Sequence, residues 1–208
     1  YEVSLPSDSP PSITLNTPLN ASNISSSSVI FNARVSDDLG VSNVSLWHSY
    51  PVWHRNQTNS SGLNNVNYTF VKQFPDGNFK WTIEACDSSG QCVFSANRTF
   101  SVDTIKPVVS FNPSTPANGR ITNNANVLIN VTIVEQNRDK IVLNWDGVNE
   151  TNTMANAGGN MWTITKVMSV NKAYTYYVFV NDYAGNSNAT ETRTITYDSI
   201  APSILYNP

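Results

Sequence analysis

Charge is what this 208-residue sequence has least of: Asp, Glu, Lys and Arg make up 13% of it, about half of the ~25% usual in globular proteins. Lys and Arg together number only 12, too few for the basic footprint that neutralising a phosphate backbone requires, so nucleic acid is excluded as a partner. No run of about 18 apolar residues occurs, so no helical membrane span lies within the stretch. The start at Tyr1 and Glu2 shows neither the basic nor the apolar region of a signal peptide, and any such segment or anchor is expected outside these residues. Histidine is limited to His48 and His54, both in or beside one loop. No Gly-X-Ser-X-Gly turn accompanies them, no further zinc ligands stand nearby, and no nucleophile, base and orienting acid can be assembled. They read as solvated loop residues, and the chain reads as no enzyme.

Cysteine is nearly absent too. The two present, Cys86 and Cys92, flank Asp-Ser-Ser-Gly-Gln, a turn-forming spacer able to bring them within bonding distance across a hairpin. We read a disulfide; the competing reading is a pair of free thiols in a reducing compartment, and two cysteines without a nearby histidine complete no zinc site.

What the sequence has instead is Asn, Ser and Thr for solubility, and Val, Ile, Phe, Tyr and Trp to fill a pleated core. Asn-X-Ser/Thr acceptors stand at Asn20, Asn23, Asn43, Asn56, Asn59, Asn67, Asn97, Asn130, Asn149 and Asn188. A sequence of this composition meets the triplet often by chance, so the motif argues for N-glycosylation only together with the cysteine pair and the low charge.

An internal repeat organises the chain. DSPPSITLN from Asp8, DTIKPVVSFN from Asp103 and DSIAPSILYN from Asp198 each read Asp, a short spacer, Pro and an alternating apolar run ending in Asn, at intervals of 95 residues. The module ends match as well: NFKWTIEACDSSGQC (Asn78 to Cys92) parallels AYTYYVFVNDYAGNS (Ala173 to Ser187), an aromatic-rich strand running into Asp-X-X-Gly. There Asp accepts backbone hydrogen bonds, Gly supplies positive φ, and a strand returns.

Strands are expected near residues 28–36, 43–48, 66–74, 78–86 and 92–102 in module one, and near 126–134, 140–145, 161–168, 173–180 and 189–197 in module two. Period-two alternation places Val29, Phe31, Ala33 and Val35, and Val127, Ile129, Val131 and Ile133, toward a core. About seven short strands per module with no helical periodicity indicate an all-β chain of two tandem antiparallel sandwiches. The expected modules are residues 1–104 and 105–199, with 200–208 the first strand of a further module or a terminal strand. Short linkers carrying Pro107 and Pro202 predict a semi-rigid string.

The segments SNVSLW, NQTNSSGLNNVNYTF, DGNFKWTIEACDSSGQC, NRTFSVDTIKP, DYAGN and TRTITYDSIAP resemble the immunoglobulin-like repeats, of fibronectin-III or bacterial-Ig type, found in archaeal and bacterial cell-surface proteins. The resemblance covers essentially the whole chain. It implies extracellular stalks, filament or sheath subunits, surface-layer parts and adhesins, and brings no catalytic residue. Module two departs from module one in having Asn181 and Ser187 where the cysteines stand.

Three candidate functional features remain. Module one inserts WHSYPVWHRNQTNSSG, Trp47 to Gly62, where module two has the shorter WDGVNETNTM. Tyr50, Trp53, His54 and Arg55 in that insert are residue types favoured in binding loops for a glycan or protein ligand, against the plainer reading that Trp47 and Trp53 cover the sandwich edge. Calcium is the candidate cofactor: the incoming linker, the loop after the second strand and the last hairpin turn share one end of such a sandwich. That end gathers Asp8, Asp37, Asp38 and Asp87 in module one and Asp103, Glu135, Asp139 and Asp182 in module two. The competing reading has Asp87 and Asp182 capping their turns and the rest solvated. The unpaired strand at 203–206 invites β-addition from a neighbouring subunit, against the simpler reading of a chain boundary.

Overall fold

The alternation read from the sequence becomes two separate cores. The computed structural model describes residues 7–204, and the chain divides between Thr104 and Ile105. In the first unit the strands are β1 (Ser12–Thr17), β2 (Ser22–Ile24), β3 (Ser28–Ser36), β4 (Val41–His48), β5 (His54–Asn59), β6 (Val66–Gln73), β7 (Gly77–Asp87), β8 (Cys92–Phe94) and β9 (Arg98–Val102). One sheet runs β1-β3-β6 and the other β2-β9-β7-β4-β5, with β8 beside β7. In the second unit the strands are β10 (Val108–Phe111), β11 (Arg120–Thr122), β12 (Asn126–Val134), β13 (Arg138–Trp145), β14 (Val148–Thr151), β15 (Ala155–Gly158), β16 (Met161–Val167), β17 (Lys172–Asp182), β18 (Ser187–Ala189) and β19 (Arg193–Tyr197). They form a β10-β12-β16-β15 sheet and a β11-β19-β17-β13-β14 sheet, with β18 on β17. Among the described residues no helix is long and apolar enough to cross a membrane.

Among the described residues every pairing is antiparallel except β2 with β9 and β11 with β19. These short parallel pairs arise because the first strand of each unit breaks off and the chain crosses to the opposite sheet. Pro18 and Pro113, which lack an N–H for the ladder, stand at the two breaks. An arginine clamps each crossover. Arg98 donates to the carbonyls of Leu15 (2.9 Å), Asn16 (3.3 Å) and Pro18 (3.1 Å). Arg193, 95 residues on, donates to Pro116 O (3.0 Å) and stacks over the Phe111 ring at 4.3 Å.

Val29, Phe31, Ala33 and Val35 of β3 all face the first core, and Val127, Ile129, Val131 and Ile133 of β12 the second. Phe31 sits among Trp81, Phe100 and Phe74, with ring centroids 5.1, 5.6 and 5.7 Å away. Each such side chain taken fully from water contributes roughly 1.5–3 kcal/mol. The second core replaces Trp81 with Tyr176, which lies 5.8 Å from Trp145 and whose hydroxyl donates to Pro116 O at 3.0 Å.

Three expectations are corrected. The strand expected over 92–102 is split, because Ser95 leaves the ladder: its N–H donates to Ile83 O (2.9 Å) and its hydroxyl accepts from Ile83 N (3.1 Å). Thr190 does the same to Val178 in the second unit, which splits 189–197. The insert after Trp47 is not all loop, since residues 54–59 form β5 along the open edge of β4 and place His54 and Arg55 on a strand. Residues 198–204 hold no strand, so Ser203 and Ile204 are exposed coil, and the rest of the expected strand at 203–206 lies outside the described residues.

Candidate functional site

The insert of unit one is an aromatic shelf fixed from beneath by one buried carboxylate. Tyr50 and Trp53 lie on the connection between β4 and β5, where they are partly exposed (39% and 43%) beside Val52 (67%). Trp53 stacks on Trp47 with centroids 6.4 Å apart, and Trp47 meets Phe94 edge-on at 5.5 Å. Tyr50 closes over Phe74 and Phe79 at 5.8 and 5.7 Å. Glu84 on β7 is buried, and its Oε2 accepts from Trp47 Nε1 (3.0 Å) and from the Arg55 guanidinium (2.8 Å), which also lies 5.4 Å from the Trp47 ring centre. Arg55 is therefore an anchor of the shelf as well as a part of its surface. Glu84 was not singled out in the sequence. The available signal was a carboxylate at a position where module two has Phe179.

His48 and His54 are not both solvated loop residues. His48 is on β4 and only 3% exposed, packed edge-on to Phe74 (5.0 Å) and to His54 (4.9 Å). Its Nδ1 accepts from Tyr50 N at 3.3 Å, and its Nε2 has no partner. Burial, followed by the neighbouring His54, holds the His48 imidazole below its ordinary value. His54 is half-buried and its Nδ1 lies 2.7 Å from Val52 O.

Cys86 and Cys92 face each other across β7 and β8 and are joined by a disulfide. The bond closes the loop Asp87–Gln91, in which Gly90 takes φ of +94°. Asp87 Oδ1 caps that loop by accepting from Ser89 N (2.8 Å), Ser89 Oγ (2.9 Å) and Gln91 N (2.8 Å). Burial alone would raise the Asp87 carboxyl, but these donors outweigh it and hold the group below the usual carboxylate range. Asp182 caps the corresponding turn of unit two: Oδ1 accepts from Asn186 N and Oδ2 from Asn186 Nδ2, both at 2.8 Å. In unit one Gln91 holds that place, and its side chain reaches instead to Asp8 Oδ2 at 2.6 Å.

Asp8, Asp37 and Asp87 come together at one end of unit one, each offering an oxygen within 4.8 Å of the others. Asp38 is outside this group; it accepts from Ser9 N at 3.4 Å and is exposed. Of the four residues expected around module two, Asp103 belongs to the first unit, and Glu135, Asp139 and Asp182 to the second. Asp139 is taken up by Asn181 Nδ2 (3.1 Å) and Lys140 Nζ (3.6 Å).

Of the acceptor asparagines, Asn20, Asn23, Asn56, Asn67, Asn97, Asn149 and Asn188 are exposed and Asn43 and Asn59 half-buried. Asn130 departs from the expectation: it is 9% exposed on β12, its Nδ2 donates to Ser114 Oγ (2.7 Å), and Thr115 Oγ1 bridges its backbone N and O. A glycan on Asn130 would have to displace that packing. The composition that made the motif common also placed one copy beneath the Ser114–Thr115 segment, on the face of β12 opposite the core.

No protein-family model matches the chain, and no curated protein matches it. Solved structures do. The chain is similar to the fibronectin(III)-like modules of Clostridium thermocellum CbhA, with a TM-score of 0.54 and 13% identity over 95% of this chain and 100% of that one. It is also similar to domains A168–A170 of titin, with a TM-score of 0.50 and 12% identity over 92% of this chain and 68% of that one. At these identities the likeness establishes the fold: two tandem immunoglobulin-like, fibronectin-III-like β-sandwiches.

Proposed function

We propose that the chain is a structural segment of a cell-surface protein, an N-glycosylated stalk, filament or surface-layer part. The observation that carries this reading is the repetition itself: two sandwiches at a 95-residue interval, each with its own closed core. The Cys86–Cys92 bond supports an oxidising, extracellular setting, and seven exposed acceptors supply sites for glycans that would cover the uncharged polar surface. The partners on this reading are neighbouring modules or subunits of the same assembly. Immunolabelling of intact native cells tests it: label on unpermeabilised cells, lost after brief external proteolysis, is the expected result, and label appearing only after permeabilisation contradicts it.

The aromatic shelf favours a second reading, an adhesin or carbohydrate-binding module. Trp53, Tyr50 and Val52 expose apolar area on a turn held rigid by Glu84 and Arg55, and flat aromatic rings with neighbouring polar groups suit a sugar face. Under this reading a glycan array bound by the wild type falls silent with W53A; under the first reading the array is blank for both.

A further inference from the structure

We propose that Asp8, Asp37 and Asp87 form a calcium site in unit one, with the disulfide-closed loop Asp87–Gln91 as its preorganised half. Asp8 Oδ2 accepts from Gln91 Nε2 (2.6 Å). Asp37 Oδ1 accepts from Leu39 N and Gly40 N (both 2.9 Å). Asp87 Oδ1 accepts from Ser89 and Gln91. In all three cases one oxygen accepts from a donor and the other has none: Asp8 Oδ1, Asp37 Oδ2 and Asp87 Oδ2 are shielded from solvent without a hydrogen-bond partner. Asp87 as a whole is 2% exposed.

An anionic oxygen removed from water without a donor is costly, and three beside one another repel as well. Each carboxylate thus keeps one oxygen without a donor at the end of the unit where the three residues meet. A bound cation resolves both the missing partners and the repulsion. Hard carboxylate oxygens select a hard cation. Oxygens on opposite sides of a calcium ion lie up to about 5 Å apart, twice its 2.3–2.6 Å bond, whereas magnesium at 2.0–2.1 Å needs a closer set. The three carboxylates offer oxygens within 4.8 Å of one another, inside that calcium span, and magnesium, which gives up its waters reluctantly, is disfavoured at an all-protein site of this kind.

The disulfide enters because one five-residue loop places two of the three carboxylates. Asp87 is a ligand from that loop, and Gln91 both caps Asp87 through its N–H and steers Asp8 through its side chain. Cys86 and Cys92 hold the two ends of the loop on one rung of the ladder. Preorganised loops bind more tightly because less ordering remains to be done. The proposal does not depend on the surface-module reading.

The test is a titration of the full chain, stripped with chelator, with calcium chloride, followed by ¹⁵N-HSQC. Amides of Leu39, Gly40, Ser89 and Gln91 should shift saturably with a Kd of about 10⁻⁴–10⁻³ M, the range of extracellular calcium modules. Magnesium chloride at the same concentration should leave them in place. D8N and D37N should each abolish the shifts while the amides of Ile83 and Phe100 hold their positions, which shows that the core is intact; C86S/C92S should weaken binding several-fold. Still amides at about 10 mM calcium, ten times the weak end of that range, or shifts that persist in both D8N and D37N, would overturn the site. Unchanged affinity in C86S/C92S would overturn the role of the disulfide.

Discussion

Removing the Cys86–Cys92 bond as C86S/C92S should destabilise unit one and leave unit two untouched. The bond joins residues six apart, and for a loop of that length the chain-entropy relation gives about 7 cal/mol/K, or about 2 kcal/mol at 25 °C. That is an upper figure, because Asp87 and Gly90 favour the same turn in the unfolded chain, so less freedom is regained than for a featureless loop. For a unit of roughly 100 residues the change corresponds to a melting point lower by about 10 °C. The second unit is the internal control: Asn181 and Ser187 sit on the equivalent rung of β17 and β18, and that sandwich closes without a bond. Native-state hydrogen exchange in the presence of chelator reads both units in one sample. The slowest amides of β7, around Ile83 to Ala85, should lose about 30-fold in protection, which is 2 kcal/mol at a factor of ten per 1.4. Those of β17, around Val178 to Val180, should not change. Equal protection with and without the bond would refute the entropic argument, and equal loss in both units would refute the independence of the two cores.

Phe31→Ala should cost about 4 kcal/mol in urea unfolding, the figure for deleting a fully buried aromatic ring, whereas Ile30→Ala on the same strand, 53% exposed, should fall within about 0.5 kcal/mol of wild type. Arg98→Ala strips the carbonyls of Leu15, Asn16 and Pro18 of their donor, and should lower the stability of unit one by about 2 kcal/mol in the same assay, in line with hydrogen bonds from a charged group. The folded His48 titrates below its unfolded value of 6.5, owing to burial first and then to His54 and Lys72. Its contribution is therefore fully present above about pH 6.5, is lost as pH falls through the depressed folded value, and should vanish from the pH profile of unit-one stability in His48→Leu.

Much of the fold was legible because alternation and repetition both report the core directly. β3 and β12 fall on the expected residues, and the two Asp-X-X-Gly turns form with Asp87 and Asp182 as caps. What was hidden depended on partners distant in sequence. His48 reads as a loop residue until β5 folds back onto β4 and Phe74 covers it. Glu84 has meaning only once Trp47 and Arg55 arrive from another strand, and Asn130 looks like any other acceptor until Ser114 and Thr115 close over it. The acidic end lay between these extremes. Asp8, Asp37 and Asp87 were legible as neighbours, but the place of Gln91 between two of them was not, because a glutamine in a turn carries no distinctive pattern.

Peptide mass spectrometry of the protein isolated from its native cells, run with and without reduction, tests whether this is an extracellular glycosylated scaffold. The account predicts a Cys86–Cys92 linked peptide, glycans on several exposed acceptors such as Asn20, Asn23, Asn56 and Asn97, and an unmodified Asn130. Free thiols together with unmodified asparagines throughout would contradict it.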